Sequence, residues 1–211
     1  MSFENSHDGW IAKLRARPEA LGISSIQYLP VYLAGALLGH ESNGDAFLYH
    51  EDWRRLARFE RTYVARAAVN FSTVFTATRC VDPVSALPSC LDAIELTEPC
   101  DDPFPVPQLR GTDLEIADVI ELVSSRPGMY LGELSAAALY AYMSGFVSSV
   151  RAPEEKAKTI DDFQVWHGVS YRVEPLATWL HLAWLYSGIP GDLRCLDYWN
   201  DFLATRKDGS V

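Results

Sequence analysis

Residues 111–150 constrain the fold of this chain most, because they predict two helices joined by a rigid elbow. In the first helix, apolar side chains recur every three to four residues, as one face of a helix requires. These side chains are Leu114, Ala117, Ile120 and Val123. Thr112, followed three residues later by Glu115, is typical of the capping box that begins a helix.

The elbow between the two helices has the sequence Arg126-Pro127-Gly128-Met129. Because proline disfavours helical angles in the residue before it, we expect the first helix to end near Ser125. Proline and glycine in the two central positions predict a type II turn.

The second helix is expected to begin near Leu134, after Gly132 ends the short run that follows the elbow. Its apolar face is predicted to be buried, and Gly145 permits the close approach of a neighbouring helix. The predicted buried residues are Leu134, Ala138, Leu139, Tyr142, Met143, Phe146 and Val147.

Most of the remaining chain also shows helical periodicity. Further helices are expected at residues 9–21, 26–38, 51–78, 89–96 and 175–187, and from Asp192 onward. Residues 152–162 are predicted to form a charged loop or a short helix beginning at Pro153. Residues 163–173 partly alternate between apolar and polar side chains, which predicts a small β-hairpin turning at His167-Gly168. We expect a mainly α fold with bundle-like helical packing and that hairpin in its C-terminal half.

Six prolines between Cys80 and Arg110 exclude a long element there and mark the expected boundary between two halves. We predict an N-terminal helical half at residues 1–80, a proline-rich acidic connector at 81–111 and a C-terminal helical half at 112–211. The same pattern is compatible with a single domain crossed by a long loop. No internal repeat is expected.

The charge of the chain argues against two classes of partner. The 211 residues carry a formal net charge of −10 at pH 7, with a pI near 4.9. Because a surface of this sign repels phosphate groups, nucleic acid and anionic membranes are not expected as main ligands. With 48% hydrophobic residues, the chain can bury a substantial core.

The start of the chain and its cysteines predict a cytoplasmic protein. No apolar run follows basic residues at the start, so no signal peptide is expected. The longest apolar segments are shorter than the roughly 20 residues that cross a bilayer. The four cysteines form no CxxC pair, and we expect buried thiols without a zinc or redox site.

Acidic residues are concentrated in one stretch of the sequence. Between Asp82 and Glu121 there are ten acidic side chains, and Arg110 is the one basic residue. Such a run can be a solvated face without a ligand. It can also form an acidic surface that steers a basic partner toward the protein.

The sequence carries no recognisable catalytic or metal-binding motif. G-x-S-x-G, HExxH and the glycine-rich phosphate loops are absent. His40 and His50 flank an acidic turn, but the five histidines form no helical pair at ligand spacing. We therefore predict no catalytic residue, no metal and no cofactor. These absences do not exclude an enzyme, because catalytic groups need only be close in space.

The segment RPGMYLG at residues 126–132 resembles the RPGMYIG segment near the N-terminus of the gyrase class of ATPases. In that family a helix follows with Glu and Asn for the metal and the attacking water, and then a DxGxG segment. Here the next helix has the sequence LSAAALYAYMSGFVSS, and DxGxG does not occur. The ATPase interpretation therefore fails on its catalytic residues, and turn chemistry explains the elbow.

The same segment is also similar to small bacterial proteins that we associate with immunity against polymorphic toxins. Phe146, the string FQVW at residues 163–166 and the string TW at 178–179 extend this similarity. It covers roughly residues 119–185 and assigns no binding residues. The resemblance implies a protein that binds and neutralises a toxin.

Together these features predict an inhibitor or immunity protein that uses an acidic surface to bind a basic protein such as a nuclease toxin domain. The expected partner-binding residues are acids of the acidic stretch and two aromatic anchors. They are Glu98, Asp101, Asp102, Phe104, Asp113, Glu115, Asp118 and Tyr130. The alternative is a small-molecule enzyme or ligand-binding protein with a pocket between the halves, lined by Tyr130, Tyr142, Trp166 and Trp179. A third interpretation is a structural subunit of a larger assembly.

Overall fold

A computed structural model describes residues 9–18, 21, 23, 25–43, 51–64, 71–79, 82–101, 113–132, 135–150, 153–174, 182 and 194–207. Within these ranges the chain forms ten α-helices and no strand, which confirms the predicted mainly α class. No helix in this part of the chain combines the length and the apolar character needed to cross a membrane. The helices are α1 (Trp10–Ala16), α2 (Leu29–Ser42), α3 (Glu51–Val64), α4 (Phe71–Arg79), α5 (Ala86–Glu95), α6 (Ile116–Ser125), α7 (Pro127–Leu131), α8 (Ala136–Ser149), α9 (Pro153–Tyr171) and α10 (Arg194–Lys207). A short 3-10 helix, Ile26–Tyr28, leads into α2.

The fold is built around a close contact between α2 and α8. Both helices are apolar on nearly every face, so each is buried over most of its circumference. A β-carbon at Gly35 would lie 1.9 Å from the carbonyl oxygen of Tyr142, and one at Gly145 would lie 2.0 Å from that of Tyr32. Because real β-carbons do not approach other atoms so closely, only glycine lets the two backbones meet here.

The two central helices run in the same direction. Beyond the contact at Gly35, Gly39 lies against the Phe146 carbonyl oxygen, 2.6 Å from where its β-carbon would be. One turn further, the Asn43 side-chain amide donates a 2.8 Å hydrogen bond to the carbonyl of Ser149. Residues further along α2 therefore contact residues further along α8, as in a parallel helix pair.

Two hydrophobic cores are built on this helix pair. The first core combines α1, α2, α3 and α5 with Phe75 of α4, and the second combines α6, α8, α9 and α10 with Leu131 of α7. Each central helix also contributes to the other core: Val31 and Leu38 of α2 lie in the second, and Ala141 of α8 lies in the first. The two halves of the chain are therefore packed together through α2 and α8.

The first predicted helix of the 111–150 stretch is present, but it begins later than expected. α6 starts at Ile116 with Glu115 as its N-cap, and the capping box joins Glu115 to Asp118. The predicted capping residue, Thr112, lies outside the described residues. The start is shifted because the Glu115 carboxylate itself caps the helix. The helix ends at Ser125, as predicted.

The type II turn predicted at residues 126–129 is wrong. Pro127 opens the short helix α7 and Gly128 lies inside it, because proline is favoured in the first turn of a helix, where its missing N–H is not needed. The positive φ angle, 64°, lies at Gly132. Glycine in this left-handed region ends α7, as the sequence predicted.

α8 confirms the second predicted helix of the stretch. Its N-cap is Ser135, whose hydroxyl accepts a 3.1 Å hydrogen bond from the Ala138 N–H. Every predicted inward residue that the structure describes is buried, and Leu134 lies outside the described residues. The close helix contact predicted at Gly145 is also confirmed.

The continuous helix predicted over residues 51–78 is wrong. The structure has α3 and α4 in this region, and residues 65–70 lie outside its described part. The rings of Phe59 and Phe75 lie 6.2 Å apart, whereas one uninterrupted α-helix would separate the two residues by roughly 24 Å. The chain therefore turns back between them, because both phenylalanines pack into the first core.

The β-hairpin predicted at residues 163–173 is also wrong, since residues 163–171 belong to the 19-residue helix α9. Phe163 and His167, one helical turn apart, are both buried. The Phe163 ring stacks on Trp199 of α10 with centroids 3.9 Å apart, so packing between helices overrides the local alternation. For residues 152–162, the predicted helix beginning at Pro153 is the correct alternative.

The remaining predictions differ in how far the structure tests them. α2, α5 and α10 confirm the helices expected at 26–38, 89–96 and after Asp192. α1 confirms only the first part of the helix expected at 9–21, because it ends at Ala16 before Pro18. The helix expected at 175–187 lies outside the described residues, apart from Leu182, which is buried. Although the sequence placed it in the connector, α5 packs into the first core.

We expect Gly35→Ala and Gly145→Ala to destabilise the fold, because each new methyl group meets backbone that cannot move without separating α2 from α8. The expected loss is roughly 3 kcal/mol of unfolding free energy for each variant, measured by urea denaturation. Gly128→Ala is the matched control. Gly128 is also helical but has open space around it, so stability should change by less than about 1 kcal/mol. Equal effects of all three substitutions would contradict the close contact.

Glu60 on α3 predicts a pH dependence of stability. Burial raises the pKa of its carboxyl from 4.5 to about 7. Because the pKa is higher in the folded chain, the folded state binds the proton more tightly, and stability falls as the pH rises from about 4.5 through 7. We expect Glu60→Gln to reduce this fall, so its melting temperature should exceed that of the wild type at pH 8 by more than at pH 5. Glu121→Gln, at an exposed position, is the control, and parallel pH profiles for wild type and Glu60→Gln would refute the assignment.

Candidate partner-binding surface

The acidic stretch of the sequence is exposed wherever the structure describes it. Nine of its ten acidic residues are described, and each of the nine is exposed. They are Asp82, Asp92, Glu95, Glu98, Asp101, Asp113, Glu115, Asp118 and Glu121. Asp102 and Arg110 lie outside the described residues. These nine carboxylates have the solvent access that a partner-binding surface requires.

The first group of acids, here called the α5 patch, comprises Asp92, Glu95, Glu98 and Asp101. Arg15 of α1 contacts a carboxylate oxygen of Asp92 and one of Glu95, each at 2.6 Å. This cation neutralises part of the patch and links α5 to α1. Because all three side chains are substantially exposed, the pairs contribute little to stability.

Arg54 of α3 fixes the end of the α5 patch. Its guanidinium donates a 2.7 Å hydrogen bond to the carbonyl of Cys100 and lies 2.9 Å from the Asp101 carboxylate. In return, the Cys100 N–H donates to the Arg54 carbonyl at 3.3 Å. These bonds hold the chain beyond α5 against α3 and leave the Asp101 side chain fully exposed.

Leu96 is an apolar side chain beside the α5 patch that the sequence patterns did not single out. It directly follows α5 and is 85% exposed. The buried positions of α5 are Ala86, Leu87, Cys90, Leu91 and Ile94. Leu96 lies off that stripe, so helical spacing is the signal that would have identified it. An exposed leucine flanked by Glu95 and Glu98 is a candidate apolar anchor with an acidic rim.

The second group of acids, here called the α6 patch, comprises Asp113, Glu115, Asp118 and Glu121. Two of them form the capping box of α6, in which the Glu115 N–H donates to Asp118 Oδ2 at 2.8 Å. Carboxylates are favoured at this place because a helix N-terminus carries partial positive charge. Capping of the α6 N-terminus therefore explains why Glu115 and Asp118 are acidic.

Lys156 of α9 ties the α6 patch to the body of the protein. Its side chain is 3% exposed, and its amine lies 3.1 Å from Asp113 and 3.0 Å from Glu115. Burial lowers the pKa of Lys156, but hydrogen bonds to Glu115 and Asp113 outweigh that effect and raise the pKa overall. The amine is therefore charged at neutral pH, while the two carboxylates stay open to solvent on their other sides.

The predicted partner-binding residues fall into separate groups on different helices. Two of them belong to the α5 patch, which contacts α1 and α3, and three belong to the α6 patch, which contacts α9. Asp102 and Phe104 lie outside the described residues. Tyr130 is half-buried, with its ring 6.0 Å from that of Tyr142, so it packs at the edge of the second core.

Three aromatic residues of the alternative interpretation, Tyr130, Tyr142 and Trp166, belong to the second core or pack against it. Tyr142 is buried in α8, and Trp166 packs against Phe163 and Phe202. Trp179 lies outside the described residues. The described structure contains open grooves of about 270 and 320 Å³, and Tyr130, Tyr142 and Trp166 line neither of them. In the same ranges, no group of three or more His, Cys, Asp or Glu side chains is arranged to hold a metal ion.

No protein-family model, curated protein or solved structure matches the chain.

We expect loss of the two carboxylates around Lys156 to cost more stability than loss of the lysine charge. In Asp113→Asn/Glu115→Gln, the buried ammonium loses both partners, and a loss of roughly 2 kcal/mol is expected, reduced by the solvent access of the pair. In Lys156→Met, the apolar stem is kept and the carboxylates return to water, so the loss should stay below about 1 kcal/mol. Urea unfolding of both variants shows which one loses more unfolding free energy. A larger loss for Lys156→Met would show that the ion pairs themselves stabilise the fold.

Proposed function

We propose that this chain is an inhibitor or immunity protein that binds a basic protein in the cytoplasm, and that a nuclease toxin domain is the kind of partner it neutralises. The observation that carries the proposal is the exposure of all nine described acids between Asp82 and Glu121. Three cations, Arg15, Arg54 and Lys156, contact five of these acids. The net charge of the chain is −10, so its field favours a positively charged partner.

Both acidic patches retain carboxylates that can meet such a partner. In the described part of the chain, Glu98 of the α5 patch and Glu121 of the α6 patch form no ion pair. A nuclease exposes a basic cleft for its phosphate substrate, and carboxylates of an inhibitor can occupy that positive field. Long-range attraction of this kind accelerates association more than it slows dissociation.

Leu96 supplies an apolar contact, which the carboxylates cannot provide. Carboxylates at the rim of an interface orient and attract a partner, whereas apolar contacts at its centre exclude water and prolong the complex. Leu96 is 85% exposed between Glu95 and Glu98. We therefore assign it the central apolar contact of the α5 patch.

Binding is tested by coexpressing the chain with the product of the neighbouring gene, followed by gel filtration at low and high salt. A stoichiometric complex with a toxic, basic protein, weakened as salt screens the charges, supports the proposal. A chain that elutes alone at both salt concentrations contradicts it. A metabolite that copurifies with that monomer would favour the ligand-binding alternative.

Charge reversal tests whether the two patches steer the partner. We expect Glu98→Lys/Glu121→Lys to slow association by about 10-fold or more at low salt, with a smaller difference at high salt. The measurement is the association rate at several ionic strengths. The matched control is Asp197→Lys/Asp201→Lys on α10, which changes the net charge equally at exposed positions outside both patches. Equal rates for the wild type and the patch variant, or an equal decrease in the control, would contradict this surface.

A further inference from the structure

We infer that the chain is an internal duplication, in which two tandem copies of one helical unit bind each other through α2 and α8. The first unit spans α1 to α5, and the second spans α6 to α10. Each unit has a first helix, an elbow, a central apolar helix and then a longer or equally long helix, and its last helix packs against its first. The inference differs from the expectation of no internal repeat that the sequence suggested. This inference is independent of the proposed inhibitor function.

The elbows and the central helices share residues at matching places. RPEALG at residues 17–22 corresponds to RPGMYLG at residues 126–132, with one residue inserted in the second unit. From the Leu-Gly pair to the glycines of the central helices, the spacing between the units is constant, and four more identical residues recur. Ser25, Leu29, Tyr32 and Gly35 correspond to Ser135, Leu139, Tyr142 and Gly145.

The last helices share a second segment. Cys-Leu-Asp at residues 90–92 of α5 recurs at residues 195–197 of α10. In both helices the cysteine and the leucine are buried and the aspartate is exposed. The identical residues therefore also have identical environments.

The backbone conformations repeat at the same places. Arg17 has φ −152° and ψ 62°, and Arg126 has φ −149° and ψ 61°. These angles lie outside the helical and strand regions, and in both units they end the first helix directly before a proline. Ser25 and Ser135 are both extended, and each accepts a hydrogen bond from a backbone N–H of the helical turn that follows.

The contact between the units is symmetric, because equivalent residues of the two units form the same contact in both directions. Gly35 meets the Tyr142 carbonyl, and Gly145 meets the Tyr32 carbonyl, with β-carbon distances of 1.9 and 2.0 Å. Because Gly35 corresponds to Gly145 and Tyr32 to Tyr142, each contact is the image of the other. A twofold axis produces this pattern, since the same surface of both partners then forms the interface.

The side chains that cross between the cores follow the same symmetry. Val31 of α2 lies in the second core, and Ala141 of α8 lies in the first. These two residues correspond at the spacing that relates Gly35 to Gly145. Each unit therefore completes the core of the other with the same position of its central helix.

A further correspondence concerns the contacts of α3 with α1 and of α9 with α6. Asp52 of α3 accepts a 3.2 Å hydrogen bond from the Ile11 N–H at the start of α1. When α3 and α9 are matched at Phe59 and Phe163, the position of Asp52 falls on Lys156. Lys156 binds two carboxylates at the start of α6. This position ties the first helix of its unit to the long helix in both copies, although its charge is reversed.

The surface of α2 is therefore adapted to a second copy of the same unit, which this chain supplies within itself. A covalent connection raises the effective concentration of the two units but adds no contact. The glycine-mediated contact should consequently hold the units together after the connection is cut.

The experiment cuts the folded, full-length chain at one place. A recognition site for a specific protease is inserted within residues 102–112, and the protein is purified intact and then cut. We expect the two fragments to coelute in gel filtration at the mass of the uncut chain, as a 1:1 complex that persists to about micromolar concentration. Fragments of the wild-type sequence that separate after cutting would overturn the inference.

Glycine variants then test the symmetry of the contact. In the cut protein, Gly35→Ala and Gly145→Ala should each weaken association of the fragments by about 100-fold or more, and to a similar degree. Gly128→Ala, which lies away from the contact, should leave association unchanged. Circular dichroism of each uncut variant distinguishes a weakened interface from misfolding. If a variant does not fold, the coelution of the wild-type fragments still tests the inference. Effects of the two contact glycines that differ by more than about 10-fold would contradict equivalent units.

Discussion

The contact of backbone against backbone between α2 and α8 is the constraint on which the rest of the structure depends. Two helices that are apolar on nearly every face must be covered, and Gly35 and Gly145 let each helix cover the other. Their remaining faces carry the two cores, so α1, α3 and α5 pack on one part of the pair and α6, α9 and α10 on the other. A change in the distance between α2 and α8 therefore alters both cores at once.

The sequence predicted those elements in which local preference and tertiary packing agree. α6 and α8 combine helical spacing with caps, and both were predicted to within a few residues. Residues 163–173 alternate locally and become helical through packing on Trp199, while the reversal between α3 and α4 brings Phe59 to Phe75. These contacts join residues far apart in sequence, so no short window of sequence contains the information.

The candidate surface was predictable in composition but not in detail. The acids are exposed as a charge run suggests, but their neutralisation depends on Arg15, Arg54 and Lys156 from other helices. The duplication is faint in sequence because identical residues persist mainly at turns, caps and close contacts, where geometry restricts the choice. Core positions exchange apolar residues freely, as at Trp10 and Val119. The acids follow the duplication only in part: Asp92 recurs as Asp197, whereas the place of Glu121 is taken by Ala12.

The opposite charges of Asp52 and Lys156 have a consequence for how two similar units fold within one chain. Similar units can exchange elements while they fold, and such an exchange would pair α9 with α1 and α3 with α6. Lys156 would then face the positively polarised N-terminus of α1, and Asp52 would face the carboxylates of Asp113 and Glu115. Both exchanged arrangements are repulsive and both native ones are attractive. The reversed charge therefore favours the native pairing, in which α3 contacts α1 and α9 contacts α6.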